Sequence, residues 1–184
     1  MNSFDTVTGY LEIIIGPMFS GKTSKLLEIY KQCTYCNIPV MVINHSLDKR
    51  YHNDMLSTHD QSMIPCHNYE LLSCALNDVT DEMKVILINE GQFFSDLEEV
   101  VKTLLEKNKH IYICGLDGDF ERKKFGQILE LIPLCDKVTK LVSLCSICKN
   151  GSIGIFSKRI TEEKEQTIIG SSNYLPVCRK CYSK

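Results

Sequence analysis

The sequence predicts an α/β fold built on a parallel sheet, and three observations carry that prediction. Nearly solid apolar runs recur along the chain, as in "LEIII" at 11–15 and "VILI" at 85–88. Segments with apolar residues at helical spacing alternate with them. A glycine-rich loop stands between the first run and the first such segment. Strands that are apolar on almost every residue are strands buried on both faces, which is the mark of a parallel sheet covered by helices.

The elements follow in order. Residues 11–15 read as a buried strand, followed by the loop Gly16-Pro17-Met18-Phe19-Ser20-Gly21-Lys22-Thr23 and a helix over 24–32 carrying Leu26, Leu27 and Ile29. A second strand is expected at 40–43. The polar stretch 44–63, with Asp48, Arg50, His52 and His59, reads as a long loop, partly mobile. A third strand at 85–88 runs into Asn89-Glu90, and a helix over 96–107 places Leu97, Val100, Val101, Leu104 and Leu105 on one face. Strands at 111–114 and 138–144 complete the expected sheet. Beyond residue 144 helical periodicity fades into cysteine pairs, glycines and a charged run. This divides the chain into a nucleotide-binding core at 1–144 and a small lobe at 145–184.

Composition narrows the function. The chain has 184 residues, net charge −2, 43% hydrophobic and 24% charged residues. A slightly acidic protein argues against bulk nucleic-acid binding. No apolar run reaches the length of a membrane span, and the N-terminus has no apolar targeting core. A cytoplasmic, reducing setting is expected. Ten cysteines in such a setting point to metal ligands or buried thiols before disulfides.

Residues 16–23 match G-x-x-x-x-G-K-[ST]. Glycines let backbone N–H groups converge on phosphate oxygens, Lys22 reaches the β- and γ-phosphates, and the Thr23 hydroxyl faces a magnesium ion. The loop opens a helix, whose N-terminal dipole adds to the attraction. The end of the third strand is where an acid is expected beside that ion. Asn89 has no charge there, so Glu90 is either the general base for a hydroxyl nucleophile or the heir to the metal role. Gln92 is a hydrogen-bonding partner of substrate or loop.

Cys145-Ser-Ile-Cys148 and Cys178-Arg-Lys-Cys181 are two C-x-x-C knuckles, each able to hold one edge of a zinc tetrahedron. Together they make a closed, structural site of four cysteines. Cys33-Thr-Tyr-Cys36 repeats the pattern at a helix end, without a partner pair, and reads as ordinary thiols. Cys66, Cys74, Cys114 and Cys135 read as isolated thiols.

The blocks "GPMFSGKT", "LDKRY…STHD", "NEGQFF", "LDGDFERKKFG", "LIPLCDKVTKL", "CSIC", "KRI", "IIG" and "YLPVCRKCY" resemble the cellular-type (type II) thymidine kinases, in that family's order. The resemblance implies a RecA-like P-loop core with a zinc-ribbon-like lobe carrying a lasso loop. It implies transfer of the ATP γ-phosphoryl group to the 5′-hydroxyl of thymidine, and of deoxyuridine as a second substrate, with Mg2+. Thymidine triphosphate as feedback inhibitor and a homotetramer are also implied.

By position, Lys22 and Thr23 serve phosphate and metal, Glu90 is the base, and Asp48 and Arg50 stand at the transfer site. Met18, Gln92, Phe93, Leu116, Phe120 and Phe125 surround the nucleoside. Ser157, Ile168, Gly170 and Tyr174 belong to the loop that closes on the base, and Cys145, Cys148, Cys178 and Cys181 hold zinc. The chain departs from the family in having Asn89-Glu90 for Asp-Glu, Lys124 for a common proline and Ser171 for a second glycine. Against this stand two other readings: a P-loop ATPase with a nucleic-acid-binding zinc ribbon, and a nucleotide-binding regulator that has lost catalysis.

Overall fold

The structure, a computed structural model, describes residues 8–48, 55–57, 62–163, 165–167, 170 and 173–183. Arg50, His52, His59, Ile168 and Ser171 lie outside the described residues.

Strand β1 (Tyr10–Ile15) leads through the phosphate loop into helix α1 (Lys22–Tyr35), then β2 (Val40–His45). A hairpin of β3 (Met55–Ser57) and β4 (Met63–Pro65) precedes β5 (His67–Tyr69) and the single turn α2 (Leu72–Ala75). Then come β6 (Val85–Ile88), α3 (Leu97–Glu106), β7 (His110–Gly115), a 3-10 segment at Ile128–Leu134 and β8 (Lys137–Lys140). The main sheet has six strands in the order β5-β2-β6-β7-β1-β8, and every pairing is parallel. The parallel sheet expected from the apolar runs is therefore present.

The central strands are apolar almost throughout because both faces are covered. On one face Leu11, Ile13, Ile86, Ile88, Ile111 and Ile113 pack with Leu97, Val100, Val101 and Leu104 of α3 and with Ile128 and Leu131. On the other, Ile14, Val42, Leu87 and Cys114 pack with Leu26, Leu27, Ile29 and Cys33 of α1. The hairpin adds Leu56 and Ile64 to this second layer. Alternate residues of one strand thus serve opposite cores. Glu12 is the charged exception in β1, and β8 meets it: Thr139 Oγ1 donates to its Oε1 at 2.8 Å and Lys137 Nζ lies 2.9 Å from the same oxygen.

Three expectations change. Within the polar segment at 44–63, residues 55–57 form a strand paired antiparallel with 63–65; its one buried apolar residue, Leu56, suffices to dock it. The edge strand β5, "HNY", was not foreseen, since it is short and polar, as an edge tolerates. The expected strand at 138–144 divides: β8 ends at Lys140, and β9 (Ser143–Leu144) pairs instead with β10 (Ile153–Gly154). The break lies where Leu141 passes the phosphate loop; its N–H still bonds to the Ile15 carbonyl at 2.8 Å.

After β10, strand β11 (Phe156–Arg159) pairs antiparallel with β12 (Tyr174–Val177), and a terminal turn α4 (Arg179–Tyr182) follows. Cys145, Val177 and Cys181 form a third small core, against which Phe156, Leu175 and Tyr182 pack. No helix among the described residues is long and apolar enough to cross a membrane.

His45 and His110 sit inside the structure, each 3% exposed. Burial holds both imidazoles below the ordinary value of 6.5. The unfolded chain therefore takes up protons first as pH falls, so the stability these rings contribute is full above 6.5 and is lost as pH drops toward their folded values. We expect the melting temperature to fall between about pH 7 and pH 5, above the range where carboxylates dominate. His110→Gln should flatten that slope; an unchanged slope in the variant would exclude His110 as its source.

Candidate functional site

The phosphate loop leaves the C-terminal end of β1 and closes on α1. Gly16, at φ 152°, passes so near β8's continuation that a Cβ would stand 2.4 Å from the Leu141 carbonyl oxygen. Gly21 caps α1 at φ 84° with open space around it, so its requirement is the left-handed backbone alone. Phe19 adopts φ 61° as well and is exposed. The Lys22 ammonium folds back over the loop and donates to the Pro17 carbonyl at 2.7 Å. The Met18 N–H donates to Ser157 Oγ at 2.9 Å. That bond ties the phosphate loop to β11, 139 residues away in the chain, and unites two residues expected near the substrate.

Strands β2, β6 and β7 end beside this loop, and their polar termini meet. Asn89, 1% exposed, is fully engaged. Its Nδ2 donates to Asn44 Oδ1 at 2.8 Å and to Asp48 Oδ2 at 3.5 Å. Its Oδ1 accepts from the Cys114 thiol at 3.0 Å and from Thr23 Oγ1 at 3.5 Å. Asn44 in turn donates to Asn68 Oδ1 on β5 at 3.1 Å. The amide therefore joins the threonine expected to face magnesium, the expected transfer-site aspartate and three strand ends. The Thr23 hydroxyl and the Asp48 carboxylate are oxygen donors, one of them charged, which suits a hard divalent cation, and Asn89 bonds to both.

Glu90 follows immediately in the left-handed region, at φ 54° and ψ 41°. This turn swings its carboxylate away from the direction of Asn89. Gln92, 3% exposed, fixes it: Nε2 donates to Glu90 Oε2 at 2.6 Å while Oε1 accepts the Leu116 N–H at 3.0 Å. The Gln92 side chain fits only because residue 115 is glycine, where a Cβ would lie 2.3 Å from Gln92 Oε1. Gln92 is thus a clamp between Glu90 and the loop after β7, in keeping with the half of its expectation that concerned the loop.

Of the residues expected around the nucleoside, Phe93, Leu116 and Phe125 lie beside this clamp. Phe93 meets Phe125 edge to face, centroids 5.5 Å apart, and His45 lies 5.6 Å from the Phe93 ring. The loop at 116–125, which begins with Leu116, bends on itself. Asp119 Oδ1 accepts the N–H groups of Glu121 and Lys123, and Gly118 bridges to Lys124. Phe120 projects from this bend onto the Arg159 guanidinium, 3.7 Å from its ring centroid. Tyr174 accepts a hydrogen bond from Arg159. Gly170 has φ 129°.

The four lobe cysteines converge, all Sγ atoms lying within 4.8 Å of one another. Cys148 Sγ is 3.7 Å from Cys178 Sγ and 3.2 Å from Cys181 Sγ. Tetrahedral zinc–thiolate bonds of about 2.3 Å imply S···S separations of about 3.8 Å, so the set fits zinc and leaves no open position. Amide N–H groups, that of Cys148 first, draw the Cys145 thiol down to about 6, whereas the neighbouring Cys148 sulfur pushes Cys181 up to about 12. A divalent cation lets all four ionise together. Among the described residues this is the one such cluster; Cys33 is buried against the sheet and Cys36 is exposed, as expected of plain thiols.

Sequence reasoning missed Asn44, the partnership of Cys114 and the part played by Arg159. Asn44 ends an apolar strand as Asn89 does, a signal that was available. Cys114 and Arg159 gave none without the register and the lobe in place.

A family model described as "Thymidine kinase" matches residues 9–182. The thymidine kinase of Sheeppox virus is 42% identical over 178 residues, covering 95% of this chain and 97% of the viral protein. The cytosolic thymidine kinase of Bos taurus is 37% identical over 180 residues, covering 96% of this chain and 73% of the bovine one. Thymidine kinase 1 of Dictyostelium discoideum is 37% identical over 186 residues, covering 96% and 79%. With a phosphate loop facing paired strand-end amides and carboxylates, and a four-cysteine lobe beside it, this chain belongs to the thymidine kinase family of ATP-dependent phosphotransferases.

Proposed function

We propose that the chain phosphorylates thymidine, and deoxyuridine as a second substrate, at the 5′-hydroxyl with ATP, using Glu90 as general base. The observation that carries this reading is the left-handed turn at Glu90, which splits two adjacent residues between two tasks. Asn89 faces Thr23 and the phosphate loop; Glu90 faces Gln92 and the aromatic pocket. As the sugar oxygen attacks the γ-phosphorus, the bond to the β-phosphate oxygen breaks, ADP departs and the hydroxyl proton passes to Glu90.

Phosphoryl transfer depends on alignment and charge neutralisation. Lys22 and Arg50 supply positive charge to the γ-phosphoryl oxygens. Met18, Phe93, Leu116, Phe120 and Phe125 wall the nucleoside, while Ser157, Ile168, Gly170 and Tyr174 close over the base and exclude water as a competing acceptor. Thr23 would hold magnesium, with Asn89 and Asp48 ordering waters around it, and the ion would supply charge neutralisation at the phosphates. A division at 144/145, a structural zinc, feedback inhibition by thymidine triphosphate, a homotetramer and a cytoplasmic site belong to the same reading.

The two alternatives have less support. The lobe carries Glu162, Glu163 and Glu165 beside Lys158, and its Arg159 is buried, which leaves a poor surface for nucleic acid. A regulator without catalysis has no use for a carboxylate held as Glu90 is.

Glu90→Gln keeps the size and the Gln92 contact but cannot take a proton. Removing a general base costs about 10² to 10⁴ in rate, so kcat should fall roughly a hundredfold or more while thymidine binding persists. A variant turning over at the parent's rate would rule Glu90 out as the base. Restoring charge with Asn89→Asp should lower the magnesium concentration for half-maximal rate several-fold, roughly as one added ligand charge predicts; an unchanged magnesium dependence would show that residue 89 has no part in the metal site. Metal analysis should find zinc in the purified protein. Cys181→Ser should lose it and melt at lower temperature, and full stability in the zinc-free protein would refute a structural metal.

A further inference from the structure

Arg159 ends β11 at the root of the closing loop, only 8% exposed. Among the described residues no carboxylate lies within ion-pair distance of it, although the Glu163 carboxylate feels its charge. A buried guanidinium with no close anion is costly unless most of its N–H groups and its face are otherwise satisfied, and among the described residues only Nε has no acceptor. Here Nη1 donates to the carbonyls of Glu163 at 2.9 Å and Glu165 at 2.6 Å, and Nη2 to the carbonyl of Gln166 at 3.2 Å and to the Tyr174 hydroxyl. Its face covers the Phe120 ring at 3.7 Å. The carbonyl dipoles of one short segment thus do most of a counterion's work at hydrogen-bond distance.

The carbonyls of Glu163, Glu165 and Gln166 and the Tyr174 hydroxyl converge on this one guanidinium, so Arg159 holds those residues of the closing loop to β11. The same guanidinium seats Phe120, which belongs to the other side of the nucleoside pocket. A second tie links the two sides directly: Gln166 Nε2 donates to Asp119 Oδ2 at 2.8 Å. Both walls therefore share one hub.

We infer that Arg159 is a positioning residue for the nucleoside: it sets the closing loop and Phe120 at one mutual distance, and so governs affinity for thymidine without acting on ATP or on the transfer step. The inference rests on the reading that Phe120 and Tyr174 line the nucleoside. Lysine does not replace arginine in such a role, because a single ammonium cannot span several carbonyls and cover a ring at once.

The test compares Arg159→Gln, Arg159→Lys and Gln166→Leu with the parent chain, all zinc-replete and checked for cooperative melting. Steady-state kinetics should show the thymidine KM raised about tenfold or more in both Arg159 variants and less in Gln166→Leu, with kcat and the ATP KM within about twofold. Calorimetric titration with thymidine should show the same loss of affinity without turnover. Thymidine affinity within about twofold of the parent in a folded Arg159 variant would overturn the inference, as would an equal rise in the KM for ATP, which marks a general loss of structure. If Arg159→Gln fails to fold, the lysine and Gln166 variants still decide. A parent that binds thymidine tightly but does not phosphorylate it would sink the role of Glu90 while leaving the binding comparison for Arg159 intact.

Discussion

The buried amide of Asn89 is the constraint on which the site depends. A side-chain amide with 1% exposure must find partners for its donors and its acceptor or cost the fold dearly. It finds them on α1, β2 and β7, and in the Asp48 carboxylate that follows β2. The strand ends can satisfy it only in one register, with Ile43 opposite Ile88 and Ile88 opposite Ile113. The hydrogen bonds therefore lock the sheet and aim Thr23 and Asp48 by the same act. Apolar packing above and below drives the strands together; the polar layer at their ends decides how they stop.

Glu90 depends on that layer indirectly. Its positive φ puts a non-glycine residue where the backbone is strained, and the cost is borne because Asn89 is anchored on one side and Gln92 on the other. Strain of this kind belongs at a site where one strand end must deliver two side chains in different directions.

Much of the core was legible because burial on both faces leaves an unmistakable apolar run. The strands at 11–15, 85–88 and 111–114 needed nothing else. Polar or short elements had no such signature: "HNY" pairs at a sheet edge, and Leu56 alone docks a strand within a polar stretch. The segment at 138–144 read as one strand because its composition is uniform, yet its pairing partners change within it. In the site, the phosphate loop and the cysteine knuckles were legible because their chemistry needs local spacing. Asn44 and Cys114 were not read as partners of Asn89 because those contacts, 45 and 25 residues apart in the chain, exist only once the register is set. Arg159 has no sequence signal for burial; only the folded lobe turns it inward.

The position of β1 in the sheet bears on how the chain is made. It is synthesised before both of its sheet neighbours, β7 and β8, and the Leu11 N–H waits for Asp136, 125 residues later. The Met18 N–H waits longer still, for Ser157. On a ribosome adding about 5 to 20 residues each second, the mostly apolar "LEIII" must remain unpaired for several seconds, roughly the time to reach those partners. A nascent chain of this topology carries a sticky segment unpaired until β7 and β8 emerge, and so calls on chaperones before the nucleotide site is assembled.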